Sequence, residues 1–187
     1  MKILFTDLDG TLLNRDKKIS SENLEAIDYA SRQGNITVIS TGRSLSSALP
    51  YIEELASVQK QSYAITYNGG LIYDCTSQKI LYKKTIPLPY VQYIFQQAKK
   101  FHIHCQTYKD GYVLAATDSE ELREYAAHTS MPVRILPDPP GELTKEPFKI
   151  LTSCLHDREH HQAYRRSLED WSKDKISLFF SSDYYLE

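Results

Sequence analysis

Two aspartates, Asp7 and Asp9, stand two residues apart just after a short apolar run, Ile3-Leu4-Phe5, and Gly10 and Thr11 follow at once. If the extended backbone ran on, both carboxylates would point to one side of it. Like charges held that close raise one pKa unless a cation or a shared proton separates them. Mg2+ suits such a pair, because it takes a few carboxylate oxygens and keeps water or phosphate in the rest of its shell. Gly10 allows a sharp turn after the second carboxylate. An isolated Asp-x-Asp-Gly is also an ordinary turn, so the weight falls on what the fold brings beside it.

The elements around this pair alternate. Residues 3–5 read as a strand and residues 20–33 as an amphipathic helix with Leu24, Ile27 and Ala30 on one face, capped by Ser20 or Ser21 and closed by Gly34. Ile36-Thr37-Val38-Ile39 is a second strand. Leu45, Leu49, Ile52 and Ala56 mark a second helix, which Pro50 is expected to kink. Residues 63–66 form a third strand, and 71–73 pair with 80–82 as a hairpin. This order predicts a parallel sheet with right-handed crossovers, whose ligands bind beyond the carboxyl ends of the strands. Those ends carry Asp7 to Thr11, then Ser40-Thr41-Gly42-Arg43, then Asn68-Gly69-Gly70.

Beyond Thr85 the texture changes to an α+β module. Pro87-Leu88-Pro89 reads as a linker, with helices near 91–100, 120–128 and 159–171 and strands near 102–108, 112–116, 148–154 and 176–180. The predicted domains are therefore 1–84 and 85–187. His102 and His104 share a strand face and His156 and His160 a helix face, but no further ligand accompanies either pair, so exposed histidines are expected there with His161. Lys145, Lys149, Lys173 and Lys175 read as solvated surface charges.

With 187 residues, 41% hydrophobic and 25% charged, the chain is long enough to bury a core, and its composition excludes wholesale disorder. A net charge of −2 gives no reason to expect a nucleic-acid partner. Three cysteines without CxxC spacing, Cys75, Cys105 and Cys154, fit reduced thiols better than a disulfide frame or a zinc ribbon. No apolar run is long enough to span a membrane, and Asp7 interrupts the N-terminal run before it makes a signal peptide. A soluble, cytoplasmic protein is expected.

The motifs taken together resemble the haloacid dehalogenase superfamily. Asp7-Leu8-Asp9-Gly10-Thr11-Leu12-Leu13 is similar to its first motif, Val38-Ile39-Ser40-Thr41-Gly42-Arg43 to the second motif of its Cof-type phosphatase branch, and Tyr67-Asn68-Gly69-Gly70 to that branch's third-strand ending. The resemblance implies a Rossmann-like α/β core carrying an inserted α+β cap. It implies a Mg2+-dependent hydrolase of phosphate monoesters, with a small phosphorylated metabolite such as a sugar phosphate as substrate. Asp7 would be the nucleophile that becomes an aspartyl phosphate. Asp9 would be the general acid and base. Mg2+ would be held by Asp7 and Asp9, the latter through its carbonyl. Thr41, through hydroxyl and backbone amide, and less firmly Gly42, Arg43 and Asn68, would hold the substrate.

The family's motif-three lysine and later acidic motif have no counterpart here, and Asp183 is a poor replacement. The resemblance therefore implies an incomplete core, an inactive or impaired fragment, and self-association through the exposed edge beside the first strand. The competing function is a non-catalytic binding or regulatory domain that keeps the Asp-x-Asp site. A receiver-like signalling domain fits less well, because its acceptor aspartate belongs on a later strand.

Overall fold

β-branched and aromatic residues build five short strands in the N-terminal half of the computed structural model, which describes residues 1–187. In chain order the elements are β1 (Ile3–Thr6), α1 (Ser21–Arg32), β2 (Ile36–Ser40), α2 (Leu45–Ala56), β3 (Tyr63–Thr66), β4 (Leu71–Asp74) and β5 (Lys79–Lys83). The sheet runs β1-β2-β3-β4-β5. Its first three strands are parallel, with Phe5 opposite Val38 and Ile39 opposite Ala64, and the β4–β5 hairpin continues it antiparallel. Two parallel pairs, each joined through a helix, are what the strand–helix alternation demands. This places the ends of β1, β2 and β3 side by side.

The helices are fixed by capping and by one apolar face each. The Ser20 side chain accepts the Asn23 amide at 3.2 Å, and Gly34 closes α1 at φ +76. Ser44 likewise caps α2 by accepting the Ser47 amide. That helix runs through Pro50 without ending, and its buried face is Ala48, Ile52 and Leu55, with Leu49 38% exposed. Of the predicted face, Ile52 is buried and Leu45 packs against the core, but Ala48 and Leu55 take the contact positions expected of Leu49 and Ala56, which turn to solvent. Ile27, Ile39, Ile52, Leu55 and Ala64 join Leu8, Leu12, Leu13 and Ile19 in one cluster. At the sheet's edge β1 keeps Ile3, Leu4 and Phe5 about half exposed.

The chain divides into two compact units, Met1–Lys84 and Thr85–Glu187. The second holds α3 (Leu88–Lys100), β6 (His104–Lys109), β7 (Tyr112–Ala115), α4 (Glu120–Thr129), β8 (Val133–Ile135), β9 (Ile150–Ser153), α5 (Arg158–Ser172) and β10 (Tyr185–Leu186), in the sheet order β10-β9-β6-β7-β8. Several expectations are corrected here. Pro87 and Pro89 do not form a linker but start α3, where proline's fixed φ and missing N–H cost nothing. Residues 176–180 are not a strand. Ile176, Leu178 and Phe180 pack against the core, yet the backbone pairs at the ends alone: Ile176 N–H donates to Ser172 C=O, and Phe179 exchanges hydrogen bonds with Glu187 in an isolated bridge of Phe180 to Leu186. β8 was not foreseen.

The histidines are not uniformly exposed. His161 is fully buried with Nε2 at 3.1 Å from Thr152 Oγ1, and His104 lies between Ser119 and Gln106. No group of three or more metal-ligating side chains forms anywhere. Lys149 is not a surface charge either: it is buried and paired to Glu187 at 2.6 Å. No helix is long and apolar enough to cross a membrane.

Candidate active site

Beyond β1 the chain does not stay extended. Asp7 caps a wide helical turn, Leu8–Leu12, and its Oδ1 accepts the Leu8 amide at 2.7 Å. The turn closes through Leu12 N–H to Asp7 C=O and Leu13 N–H to Leu8 C=O, with Gly10 at φ +73. Wholly buried Leu8 anchors it. The same-side geometry expected of an extended Asp-x-Asp is thus replaced by a curl. Asp7 is left exposed, its second carboxylate oxygen without a protein donor.

Asp9 is held very differently. Arg43, from the end of β2, grips it with both arms of its fork, Nε to Oδ2 at 2.7 Å and Nη2 to Oδ1 at 2.8 Å. Lys17 adds its Nζ to Oδ1 at 3.1 Å. The Arg43 side chain is only 9% exposed, whereas Lys17 is 43% exposed. The Arg43 hydrogen bond, helped by Lys17 and opposed by burial, holds the Asp9 carboxyl down at about 2. A bidentate, largely buried arginine pair is the strong kind. A single exposed lysine pair is worth about 0–1 kcal/mol.

Since the Asp9 pKa is depressed on folding, its stabilisation is fully present above its ordinary value of 3.8 and drains away as pH falls toward about 2. Discounted for partial exposure, about 1 kcal/mol is involved. Urea unfolding at pH 5 and at pH 2.5 should therefore show a smaller loss in Asp9→Asn than in the parent. An equal loss would remove the clamp from the account.

The β2 and β3 ends are tied to each other. The Thr41 amide donates to Ile65 C=O at 2.9 Å, Tyr67 N–H to Arg43 C=O at 2.9 Å, and Asn68 N–H to Thr41 C=O at 3.3 Å. The expectation that the Thr41 amide is open to a ligand is corrected, because the strand pairing uses it. The hydroxyl oxygen accepts the Arg43 amide at 3.2 Å, leaving its proton to donate. A Cβ on Gly42 would come 2.6 Å from Asn68 Oδ1, so only glycine lets the Asn68 carboxamide sit there. Asn68 itself holds φ +55. Arg43, expected at the substrate, has its fork on Asp9.

Lys17 was not anticipated by the motif reading. It sits in a tight loop where Asn14 Oδ1 accepts the amides of Asp16 and Lys18, closed by a bridge between buried Leu13 and Ile19. At φ +58 Lys17 occupies the left-handed region, which costs a side-chain-bearing residue about 1–2 kcal/mol. A basic residue in a short loop directly after the aspartate pair was the available signal.

For Mg2+, the donors present fit in part. An exposed Asp7 carboxylate oxygen and the Asp9 carbonyl are the hard oxygens such an ion accepts, with water completing its shell. The Asp9 carboxylate does not fit, since Arg43 and Lys17 occupy both oxygens.

The end of β1 carries an exposed and a clamped aspartate, the end of β2 a threonine and the clamping arginine, on the parallel sheet of an α/β hydrolase fold. The chain belongs to the haloacid dehalogenase-like hydrolases, whose family model matches residues 4–187. It is 29% identical over 192 residues to the Streptococcus pyogenes protein M6_Spy0533, named only provisionally as a phosphatase, covering 100% of this chain and 69% of that one. It is 35% identical over 100 residues to the Bacillus subtilis 5-amino-6-(5-phospho-D-ribitylamino)uracil phosphatase YcsE, covering 54% of this chain and 39% of that one. Among solved structures, a haloacid dehalogenase-like hydrolase from Bacteroides thetaiotaomicron superposes with TM-score 0.87 at 26% identity, over 99% of this chain and 69% of that one. The chain thus spans about two thirds of the longest-matched relatives.

Proposed function

We propose that this site hydrolyses phosphate monoesters of small metabolites in two steps, through a phosphoryl group carried on Asp7. The observation that carries the reading is the contrast between the two carboxylates: one exposed and open on the strand end, the other oriented by a buried arginine. An open carboxylate can attack phosphorus, displacing the alcohol and forming an acyl phosphate. A carboxylate held within reach can give the leaving oxygen a proton and later take one from water. In the resting clamp Asp9 is ionised, so the protonating step requires one of its cations to withdraw. Thr41 Oγ1 supplies a donor for a phosphoryl oxygen. The Asp7 carboxylate and the Asp9 carbonyl would hold Mg2+, which when bound would supply charge neutralisation for the transferring group. Phosphatase names among the relatives support the class, and the sugar phosphate or phosphorylated cofactor substrate is part of the proposal.

The test is phosphate release from a panel of sugar phosphates, pyridoxal phosphate and nucleotides, with and without Mg2+. Metal-dependent release that vanishes in Asp7→Asn is expected of any active form, and impaired release of a chain without the family's motif-three lysine and later acidic motif. Release that survives this substitution would overturn the reading.

The same proposal includes pairing with a second copy along β1, because an edge strand with exposed Ile3, Leu4 and Phe5 templates strand addition. Light scattering at increasing concentration should show a dimer that Leu4→Lys disperses. A monomer throughout would remove it.

A further inference from the structure

The site's second cation comes from an unexpected place, and the following rests on the phosphatase reading above. The Asn14 side chain ties the loop that carries Lys17 to itself, and buried Leu13 and Ile19 pin its two arms. That loop holds Lys17 in a backbone conformation that lysine disfavours, and its Nζ arrives 3.1 Å from Asp9 Oδ1. Asp9 does not need it: both carboxylate oxygens are already satisfied by the Arg43 fork at 2.7 and 2.8 Å. Lys17 is therefore the weaker and more exposed of the two partners, and the one that leaves at small cost.

Charge counting points the same way. Asp7, Asp9, Arg43 and Lys17 sum to zero, so the site has no surplus negative charge to repel a phosphate dianion, and without Lys17 it would carry −1. An ammonium also carries three donors and can turn from one oxygen to another, unlike the rigid guanidinium fork. We infer that Lys17 is an anion-recognition residue of this site, its Nζ passing from Asp9 Oδ1 to a non-bridging oxygen of the substrate's phosphoryl group when the substrate binds. No bond is made or broken in this step. It positions the anion and at the same time frees Asp9 of one of its two cations.

The experiment is an amide-resolved NMR titration of the 187-residue chain with inorganic phosphate, in Mg2+ at constant ionic strength. It compares the parent with Lys17→Gly, Lys17→Ala and Lys17→Arg. Glycine fits the positive φ and keeps the loop while removing the ammonium. Saturable shifts are expected at Gly10, Thr11 and Gly42 in the parent. Affinity should fall about 10-fold in both the glycine and alanine variants and stay within about threefold of the parent in Lys17→Arg, as expected when one charge-assisted hydrogen bond is lost or kept. Parent-like affinity in Lys17→Gly, with shifts at the same amides, would overturn the role of Lys17 and leave the site intact. The absence of saturable shifts at those amides in the parent would overturn the site and the inference together.

Discussion

In any form of the protein that releases phosphate, Asp7→Asn is expected to reduce that release by a factor on the order of 10^4 or more, the scale on which removal of a nucleophile is felt. The amide cannot form the acyl phosphate on which the proposed route depends. The fold should not respond. Asp7 caps the Leu8–Leu12 turn through Oδ1, which accepts the Leu8 amide, and the asparagine oxygen can accept the same hydrogen bond. Unfolding midpoints within error of the parent, alongside lost turnover, are therefore the predicted pair of results. A variant that is equally stable and still active would place the nucleophile elsewhere. One that fails to fold would show the capping role of Asp7 to be larger than a single hydrogen bond.

The largest stability effect is expected far from that chemistry. Lys149 and Glu187 form an ion pair at 2.6 Å with each side chain 7% exposed. Burial pushes the Lys149 pKa down and Glu187 pulls it back up, and burial is the larger influence. An amine lowered on folding makes the unfolded chain the better proton binder below its ordinary 10.5, so this residue's contribution improves as pH rises toward that value. Lys149→Ala takes the ammonium from the buried Glu187 carboxylate and leaves it the Ser181 hydroxyl as a neutral donor, and about 3–5 kcal/mol should be lost. Replacing both at once, Lys149→Met with Glu187→Leu, should recover most of that loss, since a buried pair exchanged for apolar side chains is often neutral or better. Urea melts of the three variants test this. A double variant as unstable as Lys149→Ala would mean that the pair contributes more than it costs to desolvate.

Much of the N-terminal unit was legible because each strand ends where β-branched residues give way to polar ones. Residues 63–66 were placed correctly, and the 71–73 and 80–82 hairpin has the expected partners, with Ile72 opposite Tyr82. Helical phase was harder to read: Leu45 and Ile52 lie on a stripe with Leu49 or with Ala48, and it is Ala48 that joins Ile39 and Ala64 in the core. In the second unit Ile176, Leu178 and Phe180 alternate like a strand because alternate side chains do face the core. Alternation reports which side chains are buried, whereas a strand also needs a backbone partner along its length, and here only the ends find one. Val133–Ile135 is too short to announce itself, yet pairs with β7 in parallel.

The site was legible as motifs but not as contacts. Residue types at three strand ends marked Asp7, Asp9, Thr41, Gly42, Arg43 and Asn68, but nothing in their spacing said that Arg43 would spend its fork on Asp9. Opposite charges at the ends of neighbouring parallel strands are drawn together once the register sets β1 beside β2, and that register is a property of the folded sheet. Lys149 was misplaced for a similar reason. Its partner lies 38 residues away at Glu187, and only the pairing of β9 with β10 brings the two together.

The claim on which everything else stands is that Asp7 carries the phosphoryl group. The direct measurement is to mix the protein with Mg2+ and an activated phosphate donor such as acetyl phosphate, quench at short times, reduce any acyl phosphate with borohydride and map the peptides. Conversion of Asp7 to homoserine in the tryptic Ile3–Arg15 peptide is expected, absent without Mg2+ and absent in Asp7→Asn. Reduction at Asp9, or at no aspartate at all while phosphate is being released, would contradict it.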